Sequence, residues 1–208
     1  ELASADDAEE AQDLLASGDA DAALAKLQEA LAINPANDDA RYDYVKLLIG
    51  AGHLDDAAAA LQPALVQIPV QLRFEALAQW HAALLAVADD PRSGWSLAQF
   101  DDGIAQNKRD FDLRLAKSRV LLAQGEWTAA MDELLEIIMR DKKWGDEVAR
   151  KTYVAILELL TPPKPKAGAE ATGKTAGGIE LTGKAAVAED PQAALVSSYR
   201  RKLSMALN

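Results

Sequence analysis

Apolar residues return every third or fourth position through most of this chain, the spacing of one face of an α-helix. Leu72, Leu77, Trp80, Leu84 and Leu85 mark one such stripe, and Ala149, Tyr153, Ile156, Leu157 and Leu160 another. Leu195, Val196, Tyr199, Leu203 and Leu207 form a third. The breaks between stripes carry turn chemistry. Ser4, with Asp7 three residues on, is expected to cap a first helix that runs to about Ser17, where Gly18-Asp19 turns the chain. A second helix runs to Asn34-Pro35, and Asn37-Asp38 caps a third that ends near Ala51-Gly52. A fourth spans about Leu54 to Gln67, closed by Pro69. Helices are then expected over 71–88, from the turn at 89–94 to about Asn107, as a pair from 110, over 144–160, and from Asp190-Pro191 onward, with Asp as cap and Pro in the first turn.

The stripes also repeat at long range. Gly18, Ala23, Leu27, Ala30 and Pro35 recur 34 residues later as Gly52, Ala57, Leu61, Ala64 and Pro69. The same spacing returns in Gly125, Ala130 and Leu134, 73 residues after Gly52, Ala57 and Leu61. Residues 71–107 therefore read as a degenerate helix pair with a widened turn. A 34-residue period with a small residue at the turn, Ala at two close-packing points and Pro after the second helix resembles the tetratricopeptide (TPR) repeat. The resemblance implies an all-α, TPR-like α-solenoid of antiparallel helix pairs. Such units cannot bury their apolar faces alone and stack on their neighbours, leaving a concave surface for other proteins.

Composition changes the picture at one place. Residues 162–189 open on Pro162-Pro163-Lys164-Pro165 and continue rich in Gly, Ala, Lys and Thr, so they read as a flexible low-complexity insertion. This divides the chain into helical repeats and a following helix (1–161), the insertion (162–189), and a C-terminal helix expected to pack on the array as its cap (190–208). Half of the 208 residues are hydrophobic and only 5% aromatic, which suits close helix–helix contact. No apolar run nears the ~18 residues that span a bilayer, and no signal peptide is visible. The chain begins with Glu1 in place of Met, which reads as a fragment or processed form, and a cytoplasmic location is the simplest expectation.

The charge is lopsided. Residues 1–70 hold 14 Asp and Glu against 3 Lys and Arg, whereas the remainder is balanced. An acidic face repels phosphate, so no nucleic-acid partner is expected. The chain has no cysteine, which excludes disulfides and thiolate chemistry. His53 lies in a turn and His81 inside an apolar helix, an arrangement that reads as structural and not as a metal site. Asp89-Asp90 and Asp101-Asp102 sit at turns and helix starts, as structural acids do. One motif looks catalytic: Gly168, Gly173, Lys174 and Thr175 match the phosphate-loop pattern G-x-x-x-x-G-K-T. That loop needs a buried strand before it. The Pro-rich stretch 161–166 cannot supply one, and Gly177-Gly178 make a poor start for a following helix. No enzyme activity and no cofactor are expected.

The C-terminal third is more specific. Trp144, Asp146, Ala149, Arg150 and Lys151, the Ile-Leu-Glu-Leu-Leu helix end at 156–160, Asp190-Pro191, and Tyr199 through Ser204 resemble the tail of bacterial thioredoxin–TPR fusion proteins, the chaperedoxin-type co-chaperones. This chain departs from that family in lacking a thioredoxin-like segment before Glu1 and in the length of 162–189. The resemblance implies the TPR arm of a holdase that binds unfolding clients and passes them to a chaperonin or Hsp70-type chaperone. The alternative is a TPR scaffold of an unrelated secretion or envelope complex. TPR arrays often hold acidic peptide tails through basic inner residues. Here the inner positions carry Ala8, Gln12, Asp39, Tyr42, Asp43 and Lys46, which argues against that clamp. The expected partner contacts are Tyr42, Lys46, Trp80 and Arg119 on the repeats and Tyr199, Arg200, Arg201 and Lys202 on the final helix. Tyr199 and Leu203 have a second use, packing on the preceding helix.

Overall fold

The computed structural model describes residues 2–162 and 190–208. Among them the chain forms ten helices and no strand: α1 (Leu2–Ser17), α2 (Ala20–Ile33), α3 (Asp38–Gly50), α4 (Leu54–Leu65), α5 (Leu72–Asp89), α6 (Leu97–Gln106), α7 (Phe111–Ala123), α8 (Trp127–Arg140), α9 (Trp144–Leu160) and α10 (Pro191–Leu207). The expected all-α solenoid of stacked helix pairs is the observed fold. The phosphate-loop motif and almost all of the expected insertion lie outside the described residues.

Side-chain caps set half of the ten helix starts. Asn37 and Asp110 each accept the amide of the residue three ahead, at 3.0 Å, and Asp190 accepts that of Gln192, also at 3.0 Å. Ser96 and Gln99 form a reciprocal capping box at α6. The expected Ser4 cap is not one. Ser4 lies inside α1, fully buried, and its hydroxyl donates to the Ala30 carbonyl at 2.7 Å, tying α1 to α2. The helix ends repeat as well. Gly18, Gly52 and Gly125 close α1, α3 and α7 at φ +87°, +82° and +77°, a left-handed conformation that glycine adopts without steric cost. The amide after each glycine then bonds back to the carbonyl of Leu14, Leu48 or Leu121.

The Ala and Leu residues of the echo are the packing points. Ala23, Leu27, Ala30, Ala57, Leu61, Ala64, Ala130 and Leu134 are all buried. The same echo carries two residues whose role the pattern of apolar positions hides. Arg41 is buried and donates to the Pro35 carbonyl at 2.6 Å and the Ala60 carbonyl at 2.9 Å. Arg114, 73 residues on, donates to the Lys108 carbonyl at 3.1 Å and Glu133 at 2.7 Å, the matching positions at the same offset. Each arginine staples the loop before its own helix to the helix that follows.

Two departures from a simple stack shape the molecule. Helix α6 packs on α7, with Phe100 and Ile104 against Leu113, Ala116 and Val120. Helix α9 packs on α8 and also reaches back to α5, past α6. One side of α9 (Ala149, Tyr153, Ile156, Leu157) joins the core of α7, α8 and α10. The other side (Ala155, Leu159) joins Val45, Leu48, Phe74 and Trp80. The single stripe read from the sequence is therefore incomplete. Leu160 is only partly buried, whereas Leu159 is 4% exposed. Helix α10 lies across α8 and α9 and buries Val196, Tyr199 and Leu203.

Candidate functional site

The expected contact residues fall on two separate surfaces. On the inner side of α3, Tyr42 and Lys46 come together, with the Lys46 ammonium 5.6 Å from the Tyr42 ring centre. The Arg73 guanidinium of α5 lies 5.7 Å from the same ring and pairs with Asp39 at 2.6 Å. Asp43 accepts a 3.3 Å hydrogen bond from Gln12 of α1. Burial pushes the Tyr42 phenol up to about 12, helped by the nearby charges of Asp43 and Glu158. Burial also raises the Asp43 carboxyl and lowers the Lys46 ammonium. Lys46 is not idle: its Nζ donates to the Leu159 carbonyl at 3.3 Å, holding the C-terminal end of α9.

Trp80 and Arg119 do not join this group. Trp80 is 9% exposed and packs against Trp127 with ring centres 5.1 Å apart, and its indole N–H has no partner among the described residues. Arg119, on α7, is half-buried near Asp112 and Asp90, and burial lowers its pKa.

The second surface is α10. Tyr199 is buried on the preceding helices, and its backbone carbonyl accepts the Tyr153 hydroxyl at 2.8 Å. Its own hydroxyl donates to Asp132 at 3.3 Å, and Lys202 lies over its ring at 4.0 Å. Arg200 reaches Thr161 at 3.0 Å. Arg201 is exposed and has no hydrogen bond or ion pair among the described residues. Of the four α10 residues, Arg200, Arg201 and Lys202 thus face outward and Tyr199 faces the core.

A third surface was not expected. The return of α9 onto α5 encloses a groove of about 560 Å³ between α9, the N-terminal half of α5 and the chain joining α4 to α5. Its floor is apolar, with Leu65, Val70, Ala76, Val154 and Ala155. Beside it stand Ile68, Val66 and Leu72 at 97%, 71% and 51% exposure. One wall carries a left-handed turn at Gly145, Asp146 and Glu147, with φ of 58°, 57° and 59°. Asp146 pairs with Lys151 at 2.9 Å and Glu147 with Arg150 at 3.0 Å. Leu65 to Leu72 carry exposed apolar residues between two helices, a signal present in the sequence, but the opposing α9 wall depends on long-range packing.

His81 bonds the Leu54 carbonyl through Nε2 at 2.8 Å, a packing role. Among the described residues no group of His, Asp and Glu is placed to hold a metal ion. No described helix is long and apolar enough to cross a membrane.

Tetratricopeptide-repeat family models match residues 14–80 and 91–169. No curated protein matches the chain.

Proposed function

For a chain that is an all-α tetratricopeptide-like solenoid, and so a protein-interaction module, we propose the role of a holdase arm in a thioredoxin-fusion co-chaperone acting in the cytoplasm. It holds unfolding clients and passes them to a chaperonin or Hsp70-type chaperone. One observation carries this reading. Most large apolar side chains are buried or partly buried, yet Leu72 of the groove lining is half-exposed and Val66 and Ile68, in the chain that leads to it, stand open. Contiguous exposed apolar surface marks a binding site. The outward Arg200, Arg201 and Lys202 of α10 supply a second, basic surface for the receiving chaperone, and the resemblance of the segment from Trp144 to Ser204 to the chaperedoxin tail supports the same division.

Two assays test this. The full chain, mixed with a thermally unfolding client, suppresses its aggregation at near-stoichiometric ratio. In a bacterial lysate it captures a chaperonin or Hsp70-type chaperone, and an Arg200→Glu/Arg201→Glu variant loses that capture while still suppressing aggregation. A chain that suppresses nothing and retains one folded protein is a scaffold of an unrelated secretion or envelope complex instead.

A further inference from the structure

The groove between α9 and the α4–α5 corner has features that specify its occupant. Its volume of about 560 Å³ falls within the range of pockets that enclose organic ligands. Its floor is aliphatic, its lining includes the half-exposed Leu72, and the chain joining α4 to α5 carries Ile68, the most exposed large apolar residue described.

The charges on the rim are unequal in their freedom. Arg150 is paired with Glu147 and Lys151 with Asp146, both on α9. Glu75, on the opposite wall, is exposed and has no hydrogen bond or ion pair among the described residues. The cations of the rim are thus neutralised and one acid is left over. Residues 57–72, which include the α4–α5 corner, carry no charged side chain, so Glu75 is the unbalanced charge of the rim. An aliphatic floor beside an unpaired carboxylate favours an apolar ligand with a positive end.

We infer that this groove takes a short apolar segment of a non-native polypeptide flanked by Lys or Arg. The inference rests on the holdase reading above and names the class of client segment and where it docks. The apolar core lies on Val154, Ala155 and Ala76, with Ile68 and Leu72 closing over it, and a flanking cation meets Glu75.

The test uses the full chain and two fluorescent heptapeptides with a Leu-Val-Leu core, one between paired lysines and one between paired glutamates. Anisotropy titration is expected to show the lysine peptide binding about tenfold more tightly, with the gap narrowing as salt rises. Ile68→Ser/Leu72→Ser, at two exposed positions whose change leaves the fold intact by circular dichroism, is expected to weaken binding several-fold. Glu75→Lys should move the preference toward the glutamate peptide. Equal binding of both peptides, an unshifted preference in Glu75→Lys, or unaltered binding in the double serine variant overturns the inference. Aggregation suppression separates the two claims. If the parent chain and the double serine variant protect a client equally, the holdase reading stands and the groove falls. If the parent protects nothing, the holdase reading falls, and the peptide titration judges the groove on its own.

Discussion

Leu159→Ala probes the feature that sets this fold apart from a plain stack, the return of α9 onto α5. Leu159 is 4% exposed and sits with Val45, Leu48, Phe74 and Trp80 in one core. Truncation removes three carbons, worth about 2.4 kcal/mol at roughly 0.8 kcal/mol each. The cavity that remains between α5 and α9 adds to this, because a core lined by Phe74 and Trp80 cannot close over it fully, and the total comes to about 3 kcal/mol. The neighbouring Leu160 is only partly buried, at the edge of the other core, so Leu160→Ala should cost about 1 kcal/mol. Lys46→Met removes the cation from the Leu159 carbonyl but keeps the aliphatic stem, and should cost at most about 1 kcal/mol. Urea unfolding of the three variants by circular dichroism gives the comparison, read as a shift in midpoint at unchanged slope. Had α9 continued the stack with the face read from its sequence, Leu160 would be the core residue. A Leu159→Ala cost equal to or below that of Leu160→Ala would refute the return of α9 to α5.

Other outcomes follow from single contacts. Arg114→Ala takes the donor from the Lys108 carbonyl and one of two cations from the half-buried Glu133, which keeps Lys117 at 2.6 Å, and should cost about 2 kcal/mol, close to Arg41→Ala, which takes donors from two carbonyls; thermal or urea unfolding compares them. Tyr153→Phe leaves the Tyr199 carbonyl without its 2.8 Å donor and should cost about 1–2 kcal/mol, with faster amide exchange in α10 than in α2. The Tyr42 phenol is raised from its ordinary 10.0 to about 12, so the stability it contributes is complete below its unfolded value and is lost as pH climbs from about 10 to 12. Tyr42→Phe should lose less stability across that window, and tyrosinate absorbance should show one late-titrating group missing.

The period of 34 made the helix pairs legible because it is written in residues that have no substitute. A glycine at positive φ and an alanine at a helix crossing are local demands, so they recur wherever the unit recurs. Arg41 and Arg114 escaped the same reading, since a buried arginine is recognisable only when its acceptors are known, and those are carbonyls of loops and following helices. Ser4 misled for a related reason. Its spacing to Asp7 satisfies the capping pattern, but a tertiary acceptor, the Ala30 carbonyl, draws it into α1. Trp80 falls at an inner-helix position of its repeat, yet α9 and Trp127 cover it. The groove was illegible because its two walls come from segments some 75 residues apart, and nothing local in either announces the other.

The return of α9 links the charge pattern to the surfaces that remain open. By lying on α5, α9 takes over apolar area around Trp80 that a plain array would leave to a partner, and Lys46 is committed to its end. Apolar exposure then survives where α9 does not reach, at the α4–α5 corner. That corner carries no charge of its own, and Glu75 beside it is without an ion pair among the described residues. The C-terminal end presents α10, whose inner side is fixed by Val196, Tyr199 and Leu203 and whose outer side carries Arg200 and Arg201. An apolar groove with an unpaired acid on its rim and a basic surface with its apolar residues buried attract different partners. Two ligands of opposite character therefore have no reason to compete for one site, which is the arrangement that holding one protein while contacting another requires.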